Sequence, residues 1–207
     1  MPDGSTKYNE TVLGDAIKAL GLPRDELQLA TKYMPTLHGD EMTPDMVVAA
    51  CKLSCERLGV EQIDIYYAHR FHPEHSAAHQ AKCYLACKEA GLAKCIGVSE
   101  FSPRNIREFH AICPITCIQN EWSLMNRDLE EDLVPACREL GIGIVAYSPL
   151  SRSLLTGAVT SVDDLNPGDL RSERYPRFVS PHAAPSRLEP PGAAYTATKP
   201  DEIMLPR

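Results

Sequence analysis

Residues 63–70 read IDIYYAHR, a short apolar run that leads directly into a histidine. Four of its first six residues are β-branched or aromatic. A run of this kind is typical of a strand buried on both faces of a parallel sheet. In α/β folds the polar residue that follows such a strand lies on the side where ligands bind. His69 is therefore the first candidate functional residue, and its partners are expected at the ends of the neighbouring strands.

Helical and strand patterns alternate on both sides of this stretch. Apolar spacing predicts further strands at residues 27–33, 94–100, 114–122 and 142–147. The helices between and before them are predicted at residues 11–20, 43–58, 77–90, 102–110 and 128–140. Asp128 and Glu131 have the spacing of a capping box at the start of the last helix. Alternation of this kind predicts an α/β fold with a parallel sheet.

Two architectures share this order of elements, a (β/α)8 barrel and an open doubly wound sheet. No G-x-G-x-x-G, the usual dinucleotide fingerprint of the open sheet, follows any predicted strand. Polar groups lie instead at nearly every predicted strand end: Lys32, His69, Ser99, Glu121 and Tyr147. The carboxyl-terminal face of a barrel is its functional face. The pattern therefore favours a (β/α)8 TIM-barrel type, incomplete, with about five of the eight strands of that fold.

Composition narrows the possible classes of function. The formal charge of −7 over 207 residues argues against nucleic acid as a partner. No apolar run reaches the roughly 20 residues of a membrane helix, and the start, MPDGSTKYNE, lacks the apolar core of a signal peptide. We therefore predict a cytoplasmic protein with no membrane partner. Its eight cysteines are expected to be reduced thiols.

Histidine and cysteine spacings raise the question of a metal site. His75 and His79 are four residues apart where a helix is predicted to begin, and two cysteine pairs have the same spacing. The paired C-x2-C halves that structural zinc sites favour are absent from the sequence. A solvated loop explains the histidines, and burial as small hydrophobic side chains explains the cysteines. No metal is predicted.

The regular pattern ends near residue 155. Residues 151–207 contain eight of the 17 prolines, and neither the helical nor the strand periodicity of apolar residues continues beyond residue 181. Too little apolar surface is available there to offset the entropy of ordering the chain. We predict one domain at residues 9–178 and a proline-rich disordered tail at residues 179–207.

Several separated motifs resemble, in the same order, those of the aldo-keto reductases. They are NETVLGDAI at residues 9–17, ATK at 30–32, IDIYYAHR at 63–70, IGVSEFS at 96–102, IQNEWSLMNRDLEE at the start of 118–157, and LNPGDLRSERYPRF at 165–178. The likeness is greatest to the branch that carries YYQHR and GLSE motifs. It implies a (β/α)8 barrel that binds NADPH across its strand ends. It also implies hydride transfer to a small-molecule carbonyl substrate, an aldehyde or ketone.

The resemblance implies roles for single residues at the first four strand ends. Lys32 matches the family lysine that lowers the pKa of a proton-donating tyrosine, and His69 matches the histidine that orients the carbonyl oxygen. Ser99 matches the serine that binds the nicotinamide carboxamide, with Glu100 where many members have asparagine. Gln119 matches the glutamine that binds the same carboxamide. The implied chemistry is general acid catalysis with electrostatic preorganisation.

The resemblance assigns the end of the fifth strand to the cofactor as well. Tyr147 matches the aromatic ring that stacks on the nicotinamide. Ser148, Pro149 and Leu150 match the loop on the pyrophosphate side.

On this alignment the five strands are the family's third to seventh. Asp3 and Tyr8 are five residues apart, as the family's aspartate and tyrosine are, and they are the candidates for that catalytic pair. No strand is predicted before Asp3, and no eighth strand or basic 2′-phosphate segment follows the fifth. Two alternatives to an active reductase therefore stay open: a non-catalytic truncated remnant that binds nucleotide weakly or serves as an interaction module, and an incomplete gene model. Five strands cannot close a barrel, so self-association through open sheet edges is expected.

Overall fold

The computed structural model describes residues 8–34, 42–159 and 162–174, and these form an α/β unit. Its strands are β1 (Ala30–Tyr33), β2 (Ile63–Ala68), β3 (Ala93–Ser99), β4 (Ile115–Glu121) and β5 (Gly143–Tyr147). Its helices are α1 (Asn9–Leu20), α2 (Pro44–Leu58), α3 (Ala77–Glu89), α4 (Pro103–His110), α5 (Leu133–Leu140) and the short α6 (Leu170–Arg174). The predicted domain boundary at residue 178 and the predicted tail lie outside the described residues.

The five strands form one parallel sheet in the order β1-β2-β3-β4-β5. Each strand therefore pairs with its neighbour in sequence. A doubly wound sheet contains a point at which the strand order reverses, and the described sheet contains none. Right-handed crossovers that always advance in one direction place every helix on the same side. This is barrel-type winding, and it confirms the prediction made from the polar strand ends.

The two faces of the sheet differ in what covers them. On one face alternate strand residues, such as Tyr66, Val98 and Ile118, join the helices in a continuous apolar core. On the other face, which we name the open face, Lys32, Tyr67, Gly97 and Cys117 follow one another in register. The end strand β5 is the least covered, with Val145 41% exposed. On this open face the end residues Lys32 and Val145 are exposed, whereas Tyr67 and Cys117 between them are buried.

The Tyr67 ring covers the floor of the open face. A side-chain carbon at Gly97 would lie only 2.4 Å from Tyr67 Cε1, so the neighbouring strand has to carry glycine at this position. Tyr67 is 2% exposed, and its hydroxyl contacts Cys117 Sγ at 2.9 Å. The ring thus spans from β2 across β3 to β4.

Polar caps fix the starts of three helices. The side chains of Thr43, Ser76 and Ser102 accept hydrogen bonds from the backbone N–H groups three residues on. Pro44 and Pro103 occupy the first helical positions, where no N–H is needed. The predicted helices at 43–58, 77–90 and 102–110 are therefore confirmed to within about one residue at each end, the usual scatter of helix boundaries.

The predicted start of the last regular helix is wrong. Asp128–Glu130 forms a 3-10 turn instead, and α5 begins at Leu133. Pro135 is the reason, because a proline lacks the N–H that an interior position donates and its ring collides with the carbonyl four residues earlier. With Leu133 as the first helical residue, Pro135 lies in the first turn, where it is tolerated.

The predicted strand at 27–33 is too long at its start. Arg24–Glu26 forms a 3-10 turn, and β1 begins only at Ala30. The Leu29 N–H donates to the Asp64 carboxylate at 2.8 Å rather than to a carbonyl of the sheet. A side chain of β2 therefore accepts the Leu29 N–H at this end of the strand, while the Leu29 carbonyl still accepts from the Ile65 N–H at 3.1 Å.

Candidate active site

The parallel register brings the predicted polar residues to one edge of the sheet. The His69 N–H donates to the Tyr33 carbonyl at 3.0 Å, which continues the pairing of β1 with β2. Ser99 is paired with Gln119, and Glu121 with Tyr147. Lys32, His69, Ser99, Gln119 and Tyr147 thus lie at the carboxyl ends of consecutive strands, and the structure brings them together.

Lys32 lies on the open face of β1 with its amine over an aromatic ring. Its Nζ is 5.8 Å from the centroid of the Tyr67 ring. Desolvation and then the positive charge of Arg70 lower the pKa of Lys32, although the side chain as a whole is exposed. Lys32 has no carboxylate partner among the described residues.

His69 is a neutral imidazole at physiological pH. Burial, then the charges of Arg70 and Lys32, lower its pKa to about 4. Within the described part of the chain, its ring makes no hydrogen bond. A neutral imidazole carries one N–H donor and one acceptor nitrogen. His69 can therefore donate a hydrogen bond to an oxygen without adding a charge.

Ser99 is held between two strands. Its hydroxyl donates to the Gln119 carbonyl at 2.6 Å and accepts from Arg70 Nη1 at 3.2 Å. The same Nη1 donates to the His69 carbonyl at 3.1 Å. The side-chain amide of Gln119 is half-buried and makes no hydrogen bond to any residue that the structure describes.

Glu100 follows β3 in a left-handed conformation, with φ of 59°. Its N–H donates to Asn120 Oδ1, and its carboxylate accepts from the Glu121 N–H, both at 3.2 Å. The Tyr147 hydroxyl also donates to this carboxylate. Burial raises the pKa of the Glu100 carboxyl, against the opposing effect of Arg70. Burial and the neighbouring Glu100 raise the pKa of Tyr147, which stays protonated.

The loop after β5 consists of successive tight turns. Ser148 has φ of 48°, and the Ser151 N–H donates to its carbonyl at 2.8 Å. The Leu155 N–H donates to the Leu150 carbonyl at 3.2 Å. Pro149 and Leu150 are exposed, whereas Ser151 is fully buried and anchors the turn. Ser148, Pro149 and Leu150 therefore line the same edge of the sheet as Tyr147.

Tyr8 is not brought to this group. Its ring packs on the Arg57 guanidinium at 3.9 Å and is 62% exposed. Arg57 donates to Glu10, which in turn accepts from Thr31, the residue before Lys32. Successive strand residues point to opposite faces, so these contacts hold Tyr8 on the helix side of β1, away from Lys32. Asp3 lies outside the described residues.

The sequence patterns assign no functional role to two residues of the site, Arg70 and Tyr67. Arg70 contacts β3 as well as its own strand, and Tyr67 forms the floor beneath Lys32. Both belong to IDIYYAHR, and strand alternation places Tyr67 on the same face as His69. The lateral reach of Arg70 depends on which strand lies next to β2, and no local pattern encodes that.

In the described part of the chain, no group of three or more His, Cys, Asp or Glu residues has the arrangement of a metal site. No helix in these ranges is long and apolar enough to cross a membrane. All eight cysteines, each of which is described, are unpaired.

Comparison with known proteins gives consistent matches. The sequence model of the Aldo/keto reductase family matches residues 1–198. Over 175 residues the chain is 43% identical to the Glycine max protein named probable aldo-keto reductase 1, a match covering 82% of this chain and 49% of that protein. The chain thus spans about half the length of this curated relative.

Solved structures agree with the sequence matches. The glycerol dehydrogenase of Gluconobacter oxydans superposes with a TM-score of 0.68 at 25% identity, covering 84% of this chain and 55% of that one. An aldo-keto reductase of Bombyx mori in complex with NADP gives 0.57 at 30% identity, covering 68% and 48%.

Proposed function

This chain belongs to the aldo/keto reductase family, and on that premise we propose that it is an NADPH-dependent reductase of small aldehydes or ketones. One observation carries the proposal: Lys32, His69, Ser99, Gln119 and Tyr147 meet at the carboxyl ends of five consecutive parallel strands. A solved relative from Bombyx mori is in complex with NADP.

The residues present fit a nicotinamide ring. Its carboxamide offers two N–H donors and one oxygen acceptor, as any primary amide does. Ser99 and Glu100 present acceptors, and the amide of Gln119 has no partner in the described ranges and can donate. The Tyr147 ring is half-buried beside them, with its hydroxyl bonded to Glu100. Ser148, Pro149 and Leu150 lie on the side where the rest of the dinucleotide would extend.

The proposed chemistry assigns His69 and Lys32 to the carbonyl oxygen. When bound, the cofactor supplies the hydride. His69, neutral because burial lowers its pKa to about 4, orients the carbonyl by donating its ring N–H to the oxygen. The Lys32 ammonium stabilises the negative charge that develops on that oxygen. Tyr8 stays the predicted proton donor and Asp3 the predicted partner of Lys32, so Tyr8 would have to leave Arg57 to act.

A second candidate function rests on the position of Tyr8. Its ring packs on Arg57 on the helix side of the sheet, and the described residues place no other free hydroxyl at Lys32. Loss of a positioned proton donor commonly costs about 10² to 10⁴ in rate. A non-catalytic module that binds the nucleotide, or an interaction module, would follow from this arrangement.

Oxidation of NADPH in the presence of a panel of aldehydes and ketones tests the proposal. We expect carbonyl-dependent oxidation by the wild type and a loss of about 10²-fold in Lys32→Met. Lys52→Met, at an exposed position of α2, is the matched control and should retain full activity. Oxidation that persists in Lys32→Met would exclude the assigned mechanism. Saturable NADPH binding without oxidation of any carbonyl would favour the non-catalytic module.

A further inference from the structure

Arg70 connects the two strand ends at the centre of the candidate site. Its Nη1 donates to the His69 carbonyl on its own strand and to Ser99 Oγ on the next. The side chain is half-buried, and its charge acts on Lys32, His69, Glu100 and Tyr147. A guanidinium only donates and stays protonated in proteins. Every hydrogen bond that Arg70 makes therefore has a fixed direction.

This fixed direction sets the polarity of Ser99. A serine hydroxyl has one proton and two lone pairs. The proton goes to the Gln119 carbonyl at 2.6 Å, and one lone pair accepts from Arg70 at 3.2 Å. Ser99 is 1% exposed, so water does not reach these contacts, and a ligand reaches the hydroxyl only after a covering side chain has moved aside. One lone pair remains, and only a group that donates can use it.

Glu100 is the second acceptor at the same place. Its carboxylate already accepts from the Glu121 N–H and the Tyr147 hydroxyl. Burial favours the protonated form of this carboxyl, and the Arg70 charge is the largest effect that opposes it. A protonated carboxyl could donate a hydrogen bond, whereas the ionised form only accepts. Arg70 therefore favours the form of Glu100 that only accepts.

We propose that Arg70 is a positioning residue that holds Ser99 and Glu100 as a pair of hydrogen-bond acceptors, which selects ligands carrying an N–H2 group, here a nicotinamide carboxamide. The inference rests on the proposed function. With the Gln119 amide, which has no hydrogen-bond partner among the described residues, as donor, the pattern complements a primary amide. A methyl ketone in the same place offers an oxygen but no N–H, and it leaves both acceptors unsatisfied.

Calorimetric titration with two oxidised dinucleotides tests the selection. One is NADP⁺, and the other is its 3-acetylpyridine analogue, in which a methyl ketone replaces the carboxamide. Because unsatisfied buried acceptors are costly, we expect the wild type to bind NADP⁺ about 10-fold tighter or more. In Arg70→Met the ratio should fall below about threefold, since Ser99 can turn and Glu100 can protonate. Arg107→Met, which removes an exposed arginine paired with Glu139, should leave the ratio unchanged.

The ratio separates positioning from a general structural role, because a loosened fold would weaken both ligands alike. Arg70→Lys keeps the charge, but a lysine amine lacks the rigid planar geometry with which the guanidinium contacts both the His69 carbonyl and Ser99 Oγ. If Arg70→Met fails to fold, Arg70→Lys should still show a ratio between those of the wild type and unity. An unchanged ratio in the folded variants would overturn the inference. Equal binding of both dinucleotides by the wild type would refute the inference alone, and binding of neither would refute the proposed function with it.

Discussion

Replacing Gly97 by alanine tests whether the Tyr67 ring forms the floor of the open face. The added carbon would lie 2.4 Å from Tyr67 Cε1, 2.5 Å from Cδ1 and 3.0 Å from the Cys117 carbonyl oxygen. Carbon atoms in contact are about 3.5–4.0 Å apart, so the ring would have to move by about 1 Å. Tyr67 is 2% exposed and its hydroxyl contacts Cys117, which leaves little room for that movement.

Overpacking of this kind typically costs about 1–3 kcal/mol, and we expect about 2 kcal/mol for Gly97→Ala because the ring is fixed at both ends. Gly143→Ala is the matched control. Gly143 pairs with Cys117 in β4, as Gly97 does from the other side. A side-chain carbon there would meet only Thr116 O at 3.5 Å and Cys117 Cβ at 3.6 Å, which are ordinary contacts. That variant should lie within about 0.5 kcal/mol of the wild type.

Urea unfolding followed by circular dichroism measures both variants. A Tyr67→Leu background provides the decisive comparison, because leucine lacks the ring atoms that the new carbon would meet. There the cost of Gly97→Ala should fall to about 0.5 kcal/mol, so the two substitutions couple. The reasoning is refuted if Gly97→Ala is as mild as Gly143→Ala, or if its cost is the same in both backgrounds.

Two further predictions concern pH and an ion pair. The pKa of His69 in the folded protein, about 4, is below its ordinary 6.5. Between these two pH values the unfolded chain binds more protons than the folded chain, so the free energy of unfolding falls as pH drops through that window. Urea unfolding should show a loss of about 2 kcal/mol between pH 7.5 and 4.5, after allowance for screening, and this loss should be missing in His69→Gln. An equal loss in that variant would refute the assignment. Burial opposes ionisation of Asp64, yet hydrogen bonds from Lys94, the Leu29 N–H and Arg24 lower its pKa from 3.8 to about 2. Asp64→Asn should therefore cost about 2 kcal/mol at pH 7. The difference from the wild type should vanish as pH falls through about 2, and one that persists there would contradict the ionic explanation.

The alternation of helical and strand patterns, together with the polar residues at the strand ends, was sufficient to predict a parallel sheet of the barrel type. The apolar run before His69, and the Ser102-Pro103 pair before α4, are local signals whose physical meaning does not depend on distant residues. Because parallel strands end at one edge, the grouping of Lys32, His69 and Ser99 followed from the strand assignments alone. The later start of α5 could also have been predicted from the sequence, because Pro135 is incompatible with the interior of a helix that begins at Asp128.

Other features depend on contacts that no local pattern encodes. Tyr8 packs on Arg57, which lies in α2, and this contact rather than spacing decides on which side of β1 the ring lies. The reach of Arg70 to Ser99 requires β3 to be the neighbour of β2. The left-handed conformation of Glu100 follows from hydrogen bonds to β4, and its residue type does not predict it. Self-association through β1 and β5 stays a prediction.

The central claim is that the strand ends form a nicotinamide site, and a fluorescence titration with NADPH tests it most directly. The wild type should change NADPH emission in a saturable manner. Tyr147→Leu, which removes the ring beside Ser99 and Glu100, should weaken binding by about 10-fold. No change in emission at millimolar NADPH, or equal affinity in Tyr147→Leu, would contradict the account.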